Sequence, residues 1–343
     1  MRVFRRLCAL VIGFVLFLAG VLKLMDPVGA GLVVEEYFKF FHLGFLLPAS
    51  RIAALAAAFV ETALGAALLT GVWSRVTRWV TLGFLGFFTI LTFVLYLANP
   101  SFDCGCFGQA VHLTHAGSLV KNLVLLALWA GAFLPLSKVF EAARVKYVGF
   151  GLSLVSVAVF AAFSFVSIPL QDFTSLKPGE EIEDEDGVSA LSIRDIRGEY
   201  RDSLALRGNV LAVSVYDPEK IVDWGVVSSQ LCTARAAGFE PMLLVCGTAG
   251  QMDALTSDPV LKSTLYFADH RTLMTLNRSN GGAVWIADAQ VIKKWSSHSF
   301  PGGDDLLSLV GTDPVEAVIS ANAPERLKLQ GFLLYVFAVM LLL

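Results

Sequence analysis

Two cysteines separated by one glycine lie in a polar segment between two long apolar stretches of the chain. The segment consists of Asp103, Cys104, Gly105, Cys106, Phe107 and Gly108. A C-x-C pair can close a small disulfide with strain, because relaxed disulfides have Cα atoms about 5.5–6 Å apart, and strained disulfides are the more oxidising ones. Glycine at 105 and 108 gives the turn a freedom of φ that a residue with a Cβ lacks. The segment therefore predicts thiol–disulfide redox chemistry at Cys104 and Cys106.

Two further interpretations of this segment stay open. Cys104, Cys106, His112 and His115 follow the pattern C-x-C-x5-H-x2-H. Two thiolates and two imidazoles could hold zinc or copper(I). The cysteines could instead form a structural disulfide that pins the loop. For the thiol itself, Asp103 is expected to raise the pKa of Cys104, whereas the amino terminus of the next helix is expected to lower it.

The cysteine segment is surrounded by stretches that predict membrane-spanning helices. Of the 343 residues only 16% are charged, against roughly 25% in a soluble domain, and the net charge of −3 and the absence of a basic stripe indicate no nucleic-acid partner. A bilayer core of about 30 Å needs roughly 20 apolar residues, which must be helical because lipid offers the backbone no hydrogen bonds. Five runs qualify, at about 4–24, 51–71, 77–98, 117–136 and 147–168. The lipid bilayer is therefore a predicted partner.

Basic residues beside these spans predict the orientation of the chain. If the helices alternate, one side carries eight of them: Arg2, Arg5, Arg6, Arg75, Arg78, Lys138, Arg144 and Lys146. The other side has only Lys39 and Arg51, and residues 99–116 contain no lysine or arginine. Since positive charge marks the cytoplasmic side, the amino terminus is predicted to be cytoplasmic. The cysteine pair and residues 171–328 are then periplasmic, on the oxidising face of a bacterial inner membrane.

The remaining pattern divides the chain into further parts. Residues 1–136 are predicted to form a four-helix membrane domain and 137–170 a fifth transmembrane helix. Residues 26–50 are rich in aromatic side chains and predict a loop at the membrane interface. Residues 171–187 carry an acidic run and are interpreted as a solvated linker. Residues 323–343 form a hydrophobic carboxy-terminal segment, interpreted as a short transmembrane helix or an interfacial anchor.

Residues 188–322 have ordinary polarity and alternate strand and helix signals. Strands are predicted at 210–216, 241–246 and 264–267, followed by a hairpin of 283–287 and 290–295 that turns at Asp288 and Ala289. Helices are predicted at 219–237, 249–261 and 304–320. This alternation is typical of a small α/β sandwich.

Glu61 lies near the middle of the second predicted span. A charge at that depth costs about 2.5–3.5 kcal/mol on insertion scales, so it is expected to face the bundle interior with a partner. Lys23 and Asp26 stand at the outer end of the first span, and Lys121 and Asn122 lie in the outer part of the fourth. We expect Glu61 to form a network with Lys23 or Asn122 near the cysteine pair. Its role would be a proton relay, a quinone head-group contact, or a hydrogen bond that packs helices.

Residues 4 to about 136 resemble the DoxX-like membrane superfamily, in its branch named for the methylamine-utilisation protein MauE. The residues that carry the resemblance are 20–23 with Asp26-Pro27, Tyr37, Pro48, Glu61, Gly65, Gly71, the block 103–108 and Asn122. The resemblance implies a four-helix bundle whose layout is shared with quinone-coupled disulfide-forming proteins. It also implies that Cys104 and Cys106 are redox-active and work with a periplasmic thioredoxin-like partner.

The second half of the chain resembles a thioredoxin-like domain that lacks its active site. Where a thioredoxin has C-x-x-C after its central strand, this chain has residues 216–219, Tyr-Asp-Pro-Glu. Where a thioredoxin has a cis-proline before the hairpin, this chain has Asn280, Gly281 and Gly282. Cys232 and Cys246 are interpreted as small buried side chains. The domain is expected to bind or orient another molecule.

These patterns lead to a functional hypothesis with two alternatives. The leading hypothesis is an inner-membrane component that passes electrons between a periplasmic partner and a membrane carrier, with a quinone as the candidate cofactor. The first alternative is a non-enzymatic maturation or scaffold factor with a structural disulfide, and the second is a metal-binding membrane protein. Whether the protein is an enzyme stays open at this point.

Overall fold

The computed structural model describes residues 2–134, 142–166, 172–182 and 191–342. The chain divides into two compact units: a membrane unit of residues 1–166 with 329–343, and an α/β unit of residues 167–328. The predicted end of the fifth span at 167–168 and most of the predicted acidic run, at 183–187, lie outside the described residues.

The membrane unit consists mainly of helices. They are α1 (Arg2–Met25), α2 (Pro27–Phe40), α3 (Ser50–Thr70), α4 (Ser74–Ala98), α5 (His115–Phe133) and α6 (Arg144–Val166), with a 3-10 turn at Gly44–Ala49 and a short strand, β1 (Cys106–Gln109). Among the described residues, five helices are long and apolar enough to cross a membrane, namely α1, α3 with the turn before it, α4, α5 and α6. The prediction of five spans is therefore confirmed.

Residues 26–50 are not the loop that the sequence predicts. Asp26 ends α1 and caps α2: its Oδ1 accepts a hydrogen bond of 2.8 Å from the backbone N–H of Gly29. Pro27 then occupies the first turn of α2. A backbone N–H there has no acceptor within the helix, so the N–H that proline lacks costs no hydrogen bond. Together these residues start a helix of 14 residues. The aromatic residues in this segment had suggested interfacial packing but contained no signal for the helix itself.

The closest helix contact in the membrane unit is between α1 and α3. A Cβ added at Gly65 would lie 2.3 Å from the backbone nitrogen of Phe17, and one added at Gly20 would lie 2.2 Å from Oγ1 of Thr62. Gly13 is similarly enclosed by Leu68. Small residues let helix backbones approach in a membrane, where packing rather than water exclusion drives association. The three glycines therefore fix the spacing of α1 and α3.

Arginines at the start of α1 bind the carboxyl ends of its neighbours. Arg5 Nε donates to the Ala132 carbonyl at 2.8 Å, and Arg6 donates to the carbonyls of Leu68 and Leu69 at 3.1 and 2.6 Å. These carbonyls belong to the last turns of α5 and α3, where the helix leaves them without intrahelical partners. Cationic side chains are favourable there because of the helix dipole. The amino end of α1 thus shares one end of the bundle with the carboxyl ends of α3 and α5.

The α/β unit is built on a five-stranded mixed sheet in the order β4-β3-β2-β5-β6. Its strands are β2 (Asn209–Val215), β3 (Glu240–Val245), β4 (Leu265–Phe267), β5 (Gly282–Ala287) and β6 (Gln290–Trp295). β2, β3 and β4 are parallel, whereas β5 is antiparallel to both β2 and β6. The predicted hairpin is confirmed, and its two-residue turn has φ of 44° at Asp288 and 68° at Ala289. Such turns require positive φ at both central residues.

The helices of the α/β unit differ from the prediction in their boundaries. They are α7 (Trp224–Ala236), α8 (Ala249–Leu255), α9 (Pro259–Ser263), α10 (His270–Leu276), α11 (Gly303–Val310) and α12 (Pro314–Leu342). The predicted helix 249–261 is two helices, because Asp258 caps a new one with Pro259 at its first position. The predicted helix 304–320 is also two, and α12 starts with Pro314 and continues into the carboxy-terminal apolar segment. α10 has no counterpart in the prediction.

The carboxy-terminal segment packs within the membrane unit. The ring of Phe337 lies 5.6 Å from that of Phe14 and 5.4 Å from that of Phe17 on α1, and Phe332 stacks on Phe160 of α6 at 4.4 Å. The apolar part, Leu327–Val339, is shorter than the five candidate spans.

The prediction of a solvated linker is wrong for residues 172–182. The backbone N–H groups of Gly179 and Ile182 donate to Val291 and Ala289 at 2.7 Å each, along the outer side of the hairpin. Ile182 is 1% exposed, and Asp172 forms an ion pair of 2.6 Å with the buried Lys294. An unpaired buried ammonium group would be costly, so Lys294 needs the carboxylate of Asp172. With its backbone bonds to the hairpin, this segment is part of the α/β unit and not a tether.

We expect Gly65→Ala to destabilise the membrane unit, because the new methyl group would collide with the backbone of α1 near Phe17. Overpacking of this kind costs about 1–3 kcal/mol. Gly83→Ala is the matched control, since a Cβ at this position of α4 meets nothing within 4 Å. Thermal unfolding of the two variants in detergent measures the difference. Equal midpoints would contradict close α1–α3 packing.

Candidate functional site

The cysteine loop, residues 103–108, turns through two glycines with positive φ. Gly105 has φ of 56° and Gly108 has φ of 62°, a region that residues with a Cβ rarely adopt. The N–H of Gly108 donates to the Gly105 carbonyl at 3.0 Å and closes the turn. A Cβ at Gly105 would also lie 2.5 Å from Cγ1 of Val33 on α2. Both glycines are therefore required by the backbone, as the sequence predicts.

Cys104 is held by contacts with two other elements. Its Sγ lies 3.0 Å from Nδ1 of His115, the first residue of α5, and its carbonyl accepts a hydrogen bond from the hydroxyl of Tyr37 on α2. His115 is placed by the start of its helix, where Oγ1 of Thr114 caps the N–H of Gly117. The Cys104 and Cys106 side chains are 4% and 8% exposed. Both cysteines are free thiols in this structure.

Several neighbours act on the acidity of Cys104. Burial raises the pKa of its thiol above the ordinary value and is the largest effect. Cys106 and Asp103 raise it further, while the Ser118 hydroxyl and the Lys121 ammonium group oppose them. Desolvation disfavours a thiolate just as it disfavours any charged form. The pKa of the Cys104 thiol is thus raised, as the sequence expects of Asp103, but the largest cause is burial, which the sequence does not show.

Both cysteines line a cavity inside the membrane unit, which we call the inner cavity. It has a volume of about 320 Å³, and its wall is mostly apolar. Its polar wall residues include Lys23, Tyr37, Glu61, Lys121 and Asn122. Apolar cavities with a few convergent polar groups are the usual form of a small-molecule site. The cysteine pair therefore faces the helix bundle and not the solvent.

The partner of Glu61 is Lys23. Oε2 of Glu61 lies 2.5 Å from Nζ of Lys23, and the two side chains are 6% and 15% exposed. Asn122, which the sequence offers as an alternative partner, instead donates to the Phe88 carbonyl and to Oγ1 of Thr92, both at 3.1 Å. It ties α5 to α4. The ion pair and the Asn122 amide thus line the same cavity, but the ion pair joins α1 to α3 and the amide joins α5 to α4.

The other predicted site residues lie around the loop. Asp103 and His112 are both exposed, and Oδ2 of Asp103 lies at hydrogen-bond distance, 2.6 Å, from Nδ1 of His112. The Lys121 ammonium group lies 5.1 Å from the ring centre of Phe107, a distance typical of a cation–π contact. Asp26 caps α2 and does not reach into the cavity wall. These residues shape the loop and its surroundings.

The two histidines of the alternative metal site have different partners. His115 lies against Cys104, whereas His112 lies against Asp103. Within the part of the chain that the structure describes, no three histidine, cysteine or acidic side chains are close enough together to hold a metal ion.

Sequence reasoning missed the contacts of Tyr37 and His115 with Cys104. Tyr37 had been noted as an aromatic residue of a loop, and His115 only as a possible metal ligand. Periodicity could have placed His115 at the start of α5, next to its capping residue Thr114. The meeting of α2, α5 and the cysteine loop has no signal in the sequence, because it depends on how the helices are rotated.

The α/β unit has a polar clamp between Asp217 and Asn280, in the two loops where the sequence predicts that thioredoxin-type active-site residues are missing. The N–H of Asp217 donates to Oδ1 of Asn280 at 3.0 Å, and Nδ2 of Asn280 donates back to the Asp217 carbonyl at 2.8 Å. These bonds join the two loops that follow β2 and precede β5. Cys232 is exposed on α7 and Cys246 is half-buried, so the interpretation of both as buried side chains is wrong. The buried face of α7 is formed by Val227, Leu231 and Ala234 instead.

We expect Glu61→Gln and Lys23→Met to destabilise the membrane unit when made singly, because each leaves one buried charge without its partner. Removing one member of a buried pair costs about 3–5 kcal/mol. The double variant should be more stable than the sum of the two single losses. Thermal unfolding in detergent gives the coupling energy, and strict additivity would show that the ion pair contributes nothing.

Comparison with known protein families matches residues 1–136 to the family described as methylamine utilisation protein MauE. The match covers α1 to α5 and includes the cysteine loop and every polar residue of the inner cavity named above. No curated protein and no solved structure matches the chain. The amino-terminal part of the sequence is therefore similar to a MauE domain, and the α/β unit lies outside the matched range.

Proposed function

We propose that this protein is a thiol–disulfide redox component of a bacterial inner membrane. In this function Cys104 and Cys106 cycle between a dithiol and a disulfide and pass electrons between a periplasmic partner and a membrane carrier. The observation that carries the proposal is the position of both thiols in the wall of the inner cavity. A cysteine pair that only pinned a surface loop would have no need to face a cavity among membrane helices.

A quinone is the carrier that suits this cavity. A bound quinone accepts two electrons and two protons from a dithiol. The mostly apolar wall matches an aromatic ring, and the ammonium groups of Lys23 and Lys121 are the donors that could orient its carbonyl oxygens. Lys23 is held in place by Glu61 at 2.5 Å, so its ammonium group points to a defined part of the wall.

The direction of the chain across the membrane forms part of the proposal. Arg5 and Arg6 lie at the end of the bundle that also holds the carboxyl ends of α3 and α5, and this basic end fits the cytoplasmic side. The cysteine loop lies at the other end of α1, because a Cβ on Gly108 would approach Lys23. That end is then periplasmic, where disulfides persist.

The α/β unit is proposed to be a thioredoxin-like domain that recruits a partner instead of carrying out exchange. Three parallel strands followed by an antiparallel hairpin support this assignment. The clamp between Asp217 and Asn280 occupies the loops where a thioredoxin carries its cysteines and cis-proline. Because Cys104 and Cys106 are buried, a protein partner can reach them only after the cysteine loop moves away from α2.

We expect a purified, reduced protein to form the Cys104–Cys106 disulfide when a soluble short-chain quinone is added in detergent. Maleimide labelling followed by a mass shift counts the free thiols at each time. Cys104→Ser and Cys106→Ser should each abolish the loss of thiols, since the remaining cysteine has no partner in the loop. A variant with Cys232→Ser and Cys246→Ser is the matched control and should behave as the unaltered protein does.

The same labelling in living cells separates this function from a structural disulfide. A redox-active pair should shift toward the dithiol when the cells lack respiratory quinone, whereas a structural disulfide should stay oxidised. If the pair stays oxidised in both conditions and the double serine variant retains the cellular function, the redox proposal fails. The scaffold alternative would then describe the protein better.

A further inference from the structure

The hydrogen bond between Cys104 and His115 has a defined donor and a defined acceptor. His115 is fixed at both ring nitrogens: Nδ1 lies 3.0 Å from Cys104 Sγ, and Nε2 lies 3.0 Å from the carbonyl oxygen of Pro100. A carbonyl oxygen can only accept a hydrogen bond, so Nε2 carries a proton. In the neutral imidazole Nδ1 is then an acceptor, and the thiol of Cys104 is its donor.

The same geometry also accommodates the thiolate and the imidazolium that form when the thiol proton of Cys104 moves to His115. If the proton moves from Sγ to Nδ1, the S–H bond breaks, an N–H bond forms, and no other atom changes position. The resulting imidazolium keeps its bond to Pro100 and faces the thiolate as a charged donor. A hydrogen bond to the charged form favours that form. Both protonation states are therefore accommodated without rearrangement of the loop.

We propose that His115 is the general base of the site and that Cys104, not Cys106, is its nucleophilic cysteine. The two thiols lie in the same cavity wall, yet the imidazole contacts only Cys104. A nucleophile with a hydrogen-bonded base, itself oriented by a third group, is the usual arrangement for activating a thiol. Here the Pro100 carbonyl is the orienting group. The role of Cys104 in a redox cycle rests on the proposed function. The proton transfer from Cys104 to His115 follows from the geometry and does not depend on that function.

His115 also connects the site to a second space. It lines an open groove of about 650 Å³ together with Pro100, Asp103 and Thr114, and this outer groove does not include either cysteine. Cys104 lines the inner cavity, which does not include His115. The pair thus lies between a mostly apolar cavity and a more open groove of mixed lining. A proton taken from Cys104 is held on Nδ1, next to the sulfur that it left.

Burial makes a base necessary at this position. It raises the pKa of the Cys104 thiol, so at neutral pH few thiolates would form without an acceptor for the proton. Other titratable or charged groups surround the pair from the elements packed on it. They are Asp103 and Cys106 in the loop, Tyr37 on α2, Tyr96 on α4 and Lys121 on α5.

The test uses a reporter protein in which Cys104 is the only cysteine, made by Cys8→Ala, Cys106→Ser, Cys232→Ser and Cys246→Ser in the full chain. Its probe is 4,4′-dithiodipyridine, an uncharged disulfide small enough for the inner cavity. Attack by the thiolate forms a mixed disulfide and releases one thiopyridone, whose absorbance gives the rate. The reaction needs neither a quinone nor a protein partner, so its result is independent of the proposed electron carrier.

We expect His115→Asn and His115→Gln to slow this reaction by at least about tenfold at pH 7. The rate should recover as the pH rises, because hydroxide then removes the proton that His115 would have taken. A purely structural loss would instead lower the rate equally at every pH. His112→Gln is the matched control, since His112 bonds to Asp103 and not to a thiol. Unchanged pH profiles in both His115 variants would overturn the proposal.

A second comparison leaves His115 unaltered and so does not depend on the folding of its variants. A reporter with Cys106 as the only cysteine carries Cys104→Ser in place of Cys106→Ser. The Cys104 reporter should react faster at pH 7 by at least about tenfold, because only Cys104 has the imidazole. Equal or faster reaction of Cys106 would also overturn the assignment. The cellular redox cycle of the pair is measured separately, so either proposal can fail alone.

Discussion

The membrane unit depends on the meeting of Lys23 and Glu61 between α1 and α3. A charged group among membrane helices is tolerated only with a partner, and these two groups lie 2.5 Å apart. They can meet because glycines at 13, 20 and 65 let the two helices approach to backbone contact. The ion pair thus ties α1 to α3 at the end of α1 that lies beside the cysteine loop.

The site separates two kinds of space. The inner cavity is mostly apolar and lies among the helices, whereas the outer groove is more open and has a mixed lining. Cys104 and His115 form the wall between them. Cys106 also lines the cavity, but the imidazole of His115 contacts Cys104, so the two cysteines are chemically unequal.

The α/β unit holds its loops and its outer strand with side-chain hydrogen bonds and one buried ion pair. Reciprocal hydrogen bonds between Asp217 and Asn280 hold the loops at the end of β2 and before β5. Side-chain amides satisfy backbone groups in such loops at little cost. Residues 172–182 add a further pairing to the hairpin, and the buried Lys294 is neutralised by Asp172 from this segment. The unit is therefore a complete sheet structure whose stability does not depend on a cysteine pair.

The sequence by itself determined the local features of this protein. Hydropathy determined the five apolar helices, and the alternation of strand and helix signals determined the strands of an α/β unit with a hairpin that turns at Asp288 and Ala289. The spacing of Cys104 and Cys106 around Gly105 determined where redox chemistry could occur. Each of these depends on neighbours in the chain, so residue type and order are sufficient to predict it.

Tertiary structure alone decided which side chains meet. It selected Lys23 over Asn122 as the partner of Glu61, separated His112 from His115, and placed Tyr37 and His115 on Cys104. It also turned both thiols into a cavity, although the segment that carries them is polar. These outcomes depend on the rotation and spacing of packed helices, which are set by contacts between residues distant in the chain. No local pattern contains that information.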